Sequence, residues 1–447
     1  MAQSTVRDDA LLEDVVDFNH AVIAFVDPQG YPLNVATDFE VDRANNVIKL
    51  SKPSVPDSPV SGDRVNVTFS HIRPQPGIGY DQRRYVSIWG RIEVSDDTLT
   101  LTPEKTHGWD EDRMSFFELC ERSVPAAHRY MRKLSAERGE EVKATLPLGW
   151  LIFLATRVPF LTATIVPVLL GAVIARFNGF SNWWLAMLSL LGGSLIHLAL
   201  NVTNDVADAS SGADDANVNP TMFSGGSRMI QYGLVSLRSM KLAAAGLYAA
   251  GIVIGLYLAA TRSWDLLWIG AAGVFLSIFY SAPPFKLVHR GLGEICVALG
   301  FGPIMVLGTY LVIARELSFE AFWASLPVAL LIMLVLYVNQ IPDRTSDAKA
   351  GKNTIVVRLS EQAIVRGYAL SVIATYVLIV LGVVLDLMPV WTLLGLGTIP
   401  LALQVYRALG PNYNNPYVLM GAMGKNIMLH FATGLLLIAG YVLALFF

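Results

Sequence analysis

From Leu148 onward the chain is a succession of long apolar runs, beginning near Leu148, Trp183, Leu242, Leu266, Ile295, Phe322, Ala369, Trp391 and Ile427. Each approaches the roughly 20 residues that a helix needs to cross a hydrocarbon layer, so the pattern predicts an all-α integral membrane bundle of about nine transmembrane helices. The residues before it read differently. From His20 to about Pro103, runs such as AVIAFVD, VIKLS, RVNVTFSHI and RRYVSIWGRIEV are rich in β-branched and aromatic residues. Turn signals separate them at Asp27 to Gly30, Asn45-Asn46 and Pro74 to Gly79, which predicts a small β barrel. A helical segment over Asp112 to Gly139 follows, expected to break near Pro125. Its stripe of Phe116, Leu119 and Cys120 is expected to pack on the barrel. The chain therefore reads as multidomain, with a barrel over 1–138, a charged linker over 139–147 and a membrane domain over 148–447.

Composition agrees with this division. The 447 residues are long enough for two domains, and 53% hydrophobic against 15% charged residues fits a membrane protein. A net charge of −3 with no basic tract points to no nucleic-acid partner. Cys120 and Cys296 lie in different parts of the chain, so no disulfide framework is expected. The N-terminus MAQSTVRDDALLEDV has no basic region followed by an apolar core; no cleaved signal peptide is expected, and the first domain is placed in the cytosol. Loop Arg and Lys residues then fall mostly on the cytosolic side, together with the polar motifs described next.

The candidate chemistry sits where two apolar runs end. In NVTNDVADASSGAD, from Asn201 to Asp214, Asn201, Asn204, Asp205 and Asp208 recur at intervals of three and four and gather on one helix face. Such a cluster of oxygen ligands at a membrane helix end suits Mg²⁺ bridging to a phosphate better than Zn²⁺ or copper. The same residue types also serve as ordinary helix ends, with Gly212 as a cap. In NQIPDRTSDAKAGK, Asn339, Asp343 and Asp347 repeat the pattern after another apolar run. Each cluster precedes a glycine and basic segment, GGSR at Gly225 to Arg228 and AGK at Ala350 to Lys352. Two facing acidic helix ends of this kind hold metal ions against a diphosphate, with Arg and Lys neutralising the remaining charge.

These motifs resemble those of the UbiA-type intramembrane aromatic prenyltransferases. NxxNDxxDxxxGxD and NxxxDxxxDxxxGK look most like the 1,4-dihydroxy-2-naphthoate polyprenyltransferase branch. Arg157-Val-Pro159 and the Gly-Lys-Asn-Ile segment at Gly424 match it as well. The resemblance covers the chain from about Leu148. It implies transfer of a polyprenyl group from a polyprenyl diphosphate to an aromatic acceptor, in menaquinone biosynthesis, in a bacterial or archaeal cell membrane. The ions would be held by Asp205, Asp208, Asp343 and Asp347, with Asp214 completing the first site and Asn201 and Asn204 assisting. Arg228, Lys286 and Lys352 are the candidate diphosphate contacts, or else loop charges that set topology, and Tyr280 is a candidate to meet a phosphate oxygen or the carbocation, or else an interfacial aromatic anchor. Arg157 and Asn339 belong to the substrate-binding set. His197, one turn before Asn201, is a candidate base for the acceptor hydroxyl or a packed histidine. Glu294 is a candidate for orienting the acceptor, His430 a weaker candidate, and Asp215 a loop residue. The alternatives are another acceptor (4-hydroxybenzoate, a porphyrin or a glycerol phosphate) and a membrane carrier, which repeated halves with polar breaks also describe.

The N-terminal region resembles the split-barrel flavin-binding fold of the pyridoxamine 5′-phosphate oxidase type, through GYDQRRYVSIWGRIEV at Gly79 to Val94. Members of that group bind FMN or a related flavin, deazaflavin, haem or nothing, often as homodimers. Arg83, Arg84 and Arg91 are the candidate cofactor-phosphate contacts, or else an exposed basic strand edge.

Overall fold

The fold is that of a computed structural model, which describes residues 15–55, 58–75 and 79–447. The expected turn between Pro74 and Gly79 and most of the N-terminal segment examined for a signal peptide lie outside the described residues. The chain divides into two compact units, Met1–Arg122 and Ser123–Phe447.

In the first unit, strands β1 (Ala21–Val26), β2 (Pro32–Thr37), β3 (Phe39–Asp42), β4 (Val47–Ser51), β5 (Arg64–Gln75), β6 (Gly79–Ser95) and β7 (Thr98–Asp110) form a curled antiparallel sheet, a half-barrel in the order β2-β1-β5-β6-β7-β4-β3. Alternation sets its core: Ile23, Ile48, Leu50, Val67, Ile88 and Leu101 project to one buried face. The turn chemistry is as expected from the residues. Asp27 Oδ1 accepts hydrogen bonds from the backbone N–H groups of Gln29 (2.9 Å) and Tyr31 (2.8 Å), closing the β1–β2 turn. Helix α1 (Phe116–Arg138) runs through Pro125 without a break. Proline removes one N–H bond there, and the helix, which buries no residue fully, continues past it. Phe116 packs edge-on against Trp109, with ring centroids 6.0 Å apart.

The second unit is helical. After α2 (Leu148–Ala155) come α3 (Thr162–Phe177), α4 (Trp183–Ser211), the short α5 (Ala213–Ala216), α6 (Leu237–Thr261) and α7 (Leu266–Phe279). Helices α8 (Gly293–Leu299) and α9 (Met305–Ala314) are joined by a π-helical turn at Gly300–Ile304. Then follow α10 (Phe319–Asn339), α11 (Arg344–Lys349), α12 (Ile355–Arg358), α13 (Glu361–Val384), α14 (Ile399–Asn412) and α15 (Pro416–Leu443). Among the described residues eight helical segments are long and apolar enough to span a membrane, and the 14-residue α7 is a shorter apolar ninth. The protein is an integral membrane protein.

Side-chain caps start five of the spans: Asn182 for α4, Ser236 for α6, Ser318 for α10, Ser360 for α13 and Asn415 for α15 each accept from a backbone N–H one turn on. Small residues let the helices approach closely. A Cβ on Gly171 of α3 would lie 2.5 Å from the Val306 carbonyl of α9, so that crossing tolerates only glycine.

Candidate active site

The last three turns of α4 carry Asn201, Asn204, Asp205 and Asp208, and the left-handed cap at Gly212 turns the chain so that Asp214 follows in α5. Helix α10 ends on Asn339, with Asp343 and Asp347 just beyond it at the start of α11. The two segments meet. Lys352 Nζ lies 3.1 Å from Asp208 Oδ2 and 3.6 Å from Asp347 Oδ1. Asp343 accepts from Asn217 Nδ2 and from the Gly225 N–H, each at 2.9 Å. Asp205 is paired with Arg157 and accepts from the Ser227 N–H, and Arg228 donates to the Asp214 carbonyl. Asn204 Nδ2 donates to Asp208 at 3.0 Å, and Asn201 Nδ2 to the Thr156 carbonyl at 3.0 Å.

The loop that makes these contacts requires glycine. Gly226 has φ 78°, and a Cβ there would lie 2.9 Å from Asp214 Oδ1. This is the physical content of the GGSR segment: it carries the backbone N–H groups of Gly225 and Ser227 up to two carboxylates.

Electrostatically the site is short of positive charge. Five carboxyl groups, of Asp205, Asp208, Asp214, Asp343 and Asp347, face the basic groups of Arg157, Arg228 and Lys352. Burial pushes the Asp214 carboxyl up to about 8, with Asp208 and Asp205 adding to the effect. It pushes Asp347 up to about 7 and raises Asp343 as well. Burial opposes charge on Lys352, but Asp208 and Asp347 outweigh it and hold the ammonium above the ordinary lysine range. A cavity whose carboxyl groups resist ionisation in this way gains from an added cation.

The donor set fits Mg²⁺. It is all oxygen, and Asn204 Oδ1 and Asn339 Oδ1 are buried with no hydrogen-bond partner. Among the described residues no three His, Cys, Asp or Glu side chains gather on one point. With the carboxylates divided between two ions, each ion would take a few oxygen ligands from the chain and complete its shell from water and phosphate, as Mg²⁺ commonly does.

The polar cavity, of about 170 Å³, is lined by Arg157, Asn201, Asn204, Asp208, Asp214, Asn339, Asp343, Asp347 and Lys352 among others. Asp205 and Arg228 are buried and are held to Arg157 and to the Asp214 carbonyl, both parts of residues that line it. Below it lies an apolar cavity of about 420 Å³ walled by α4, α6, α7 and the α8–α9 span. His197 and Tyr280 line both. Lys286 differs from the expectation: it heads the turn at Leu287–Arg290 with φ 45° and is not among the residues lining either cavity. Glu294 and His430 are buried but line neither, and Asp215 is exposed.

Asn217, Ser224 and Gln340, which line the polar cavity, carry no motif signal; Asn217 becomes visible only once the loop folds back on Asp343. In the N-terminal unit, Arg83, Arg84 and Arg91 do not form a phosphate cradle. Arg83 is paired with Glu111 and lies over the Phe116 ring, Arg84 lies over the Phe18 ring at 5.1 Å, and Arg91 donates to the Gly62 carbonyl at 3.1 Å. Strand alternation sends neighbours 83 and 84 to opposite faces of the sheet.

Comparison with known proteins places the helical unit. Residues 164–423 match the UbiA prenyltransferase family. The 2-carboxy-1,4-naphthoquinone phytyltransferase of Synechocystis sp. is 29% identical over 292 residues, covering 64% of this chain and 91% of that protein. The 1,4-dihydroxy-2-naphthoate octaprenyltransferase of Mycobacterium tuberculosis is 32% identical over 251 residues, 55% of this chain and 80% of that protein. Among solved structures, a UbiA homolog from Archaeoglobus fulgidus bound to GPP and Mg²⁺ is similar with a TM-score of 0.46 and 15% identity, covering 64% of this chain and 99% of that one.

Proposed function

The chain belongs to the UbiA prenyltransferase family, and we propose that it transfers a polyprenyl group from its diphosphate to 1,4-dihydroxy-2-naphthoate, in menaquinone biosynthesis, with Mg²⁺ as cofactor. The observation that carries this is the pairing of chambers: a small polar cavity rich in carboxylates opens onto a larger apolar one. A polyprenyl diphosphate has those two ends. Its head matches the polar chamber and its chain the apolar one. The naphthoate acceptor is supported by the relatives named for it.

Asp205, Asp208, Asp214, Asp343 and Asp347, with Asn201 and Asn204 assisting, would hold Mg²⁺, which supplies positive charge to the departing diphosphate. The chain's own groups add to this. Arg157, Arg228 and Lys352 place guanidinium and ammonium charge around the same chamber, where low dielectric strengthens it. As the allylic C–O bond breaks, its electron pair leaves with the diphosphate. The apolar chamber keeps water from the allylic cation. The electron-rich ring carbon that bears the ionised carboxylate then forms the new C–C bond, and its bond to the carboxylate breaks to release CO₂, returning that electron pair to the ring. Basic residues in the segments that follow α4, α7 and α10, among them Arg228, Arg290, Arg344 and Lys349, support a cytosolic orientation of this end.

The test is product identity. Purified protein in lipid, given geranylgeranyl diphosphate, Mg²⁺ and 1,4-dihydroxy-2-naphthoate, should form a prenylated, decarboxylated naphthalenediol or its quinone, detected by mass spectrometry. Formation of product only with another phenol, such as 4-hydroxybenzoate, would replace the acceptor.

A further inference from the structure

The two chambers share five lining residues, His197, Leu200, Tyr280, Val297 and Phe301, which make a waist between them. If the proposed function holds, on which this inference rests, the diphosphate lies on one side of the waist and the hydrocarbon chain on the other. The reacting carbon that joins them is then at the waist, and the acceptor ring has to reach the same place.

Only two waist residues offer polar side-chain atoms. Tyr280 sits on the Lys352 side, within the electrostatic reach of Lys352 and Asp208. His197 is held differently. Its Nδ1 is 2.9 Å from Thr164 Oγ1, and both residues are buried. The Phe301 ring meets the imidazole edge to face, with centroids 4.6 Å apart and planes at 68°. Phe301 belongs to the π turn that interrupts the α8–α9 span, a feature that recurs at functional sites. The ring is thus fixed on two sides by residues of two other elements. Among the described residues its second nitrogen, Nε2, meets no hydrogen-bond partner, and it is not one of the enclosed, unsatisfied atoms as both nitrogens of His430 are. A buried, oriented imidazole with one nitrogen open to a cavity is built to meet a ligand.

We propose that His197 seats the acceptor: Nδ1–H donates to Thr164 Oγ1, and Nε2 accepts a hydrogen bond from a ring hydroxyl of the substrate. Thr164 is a positioning residue that fixes the tautomer and the ring plane. The hydrogen bond holds the ring carbon beside the hydroxyl against the donor's C1 and draws electron density into the ring. It also sets specificity. An aromatic ring without a hydroxyl leaves Nε2 unpaired in an apolar waist, and sites that lose such a bond discriminate strongly.

The experiment uses the full chain in lipid, geranylgeranyl diphosphate, the dihydroxynaphthoate and its two mono-O-methyl ethers, with wild type, His197→Leu, Thr164→Val and Thr164→Ser. For the parent acceptor, His197→Leu should lower kcat/KM by at least about tenfold. Thr164→Val should show part of that loss and Thr164→Ser recover it, with the KM for the diphosphate unchanged in all. With one of the two ethers the wild type should fall to the level of His197→Leu, and the substitution should then cost nothing further. An equal loss on the parent and on both ethers would overturn the proposal, as would a change confined to the donor's KM. If His197→Leu does not fold, the Thr164→Val and Thr164→Ser pair carries the same comparison. A wild type active on no aromatic acceptor would instead remove the proposed function itself.

Discussion

Lys352 Nζ lies 3.1 Å from Asp208 Oδ2, joining residues 144 positions apart in the chain. The ammonium and the carboxylate are both nearly buried, and Asp347 flanks the pair at 3.6 Å. One basic residue therefore fastens the acidic end of α4 to the acidic segment after α10. Removing it would leave two carboxylates buried without their cation. Lys352→Ala is expected to destabilise the helical unit by about 3 kcal/mol and to abolish turnover. Thermal unfolding in detergent, read beside pyrophosphate release, checks both effects; a variant as stable and as active as the wild type would show that the pair does neither.

The acidic residues are expected to divide cleanly from their surroundings. Asp205→Ala and Asp343→Ala should each lower kcat by about a thousandfold or more while the protein still inserts and purifies normally. Neither loss can be made good by a neighbour, because each carboxylate is aimed by its own backbone N–H, from Ser227 and Gly225 respectively. Near-normal turnover in either variant would contradict the assignment of the site.

Asn217 provides a subtler test. Its Nδ2 donates to Asp343 at 2.9 Å, beside the Gly225 N–H and the Ser224 hydroxyl. Such outer contacts are typically worth about 10- to 100-fold in metal affinity or activity. Asn217→Ala should therefore shift the Mg²⁺ concentration for half-maximal activity upward by about tenfold, measured as an activity titration. An unchanged titration would mean that the Gly225 N–H and the Ser224 hydroxyl suffice.

The GGSR loop should be intolerant of even one methyl group. Gly226→Ala meets Asp214 Oδ1 at 2.9 Å and has to hold φ 78°, whereas Gly397, with nothing within 4 Å of its missing Cβ, is free. The first substitution should cost about 1–2 kcal/mol in backbone strain alone and most of the activity; Gly397→Ala should change neither. Equal behaviour of the two would remove the loop from the account.

Much of the site was legible in the sequence because its residues come in local patterns. Asn201, Asn204, Asp205 and Asp208 recur at helical intervals, and Asn339, Asp343 and Asp347 repeat them, so both clusters can be read without tertiary information. What could not be read are the pairings between segments. Thr164 is one hydroxyl in an apolar run, and only the crossing of α3 with α4 makes it the partner of His197. Lys286 follows the pattern of a loop base after a helix end, but the turn at Leu287–Arg290 leaves it outside the cavity-lining set. Pro125 reads as a breaker, yet an exposed helix passes through it. Arg83 and Arg84 look like a basic cluster in the string and separate in the sheet, where one is taken by Glu111 and the other stacks on Phe18. The alternation of side chains along a strand accounts for that separation.

The central claim is metal-dependent ionisation of a prenyl diphosphate in the polar chamber. Pyrophosphate release by the purified protein in lipid, with geranylgeranyl diphosphate and 1,4-dihydroxy-2-naphthoate, tests it most directly when run with Mg²⁺ and with excess chelator. Release is expected with Mg²⁺, one pyrophosphate for each prenylated product, with loss of both on chelation. Equal release with and without the metal, or no release with any aromatic acceptor, would contradict it.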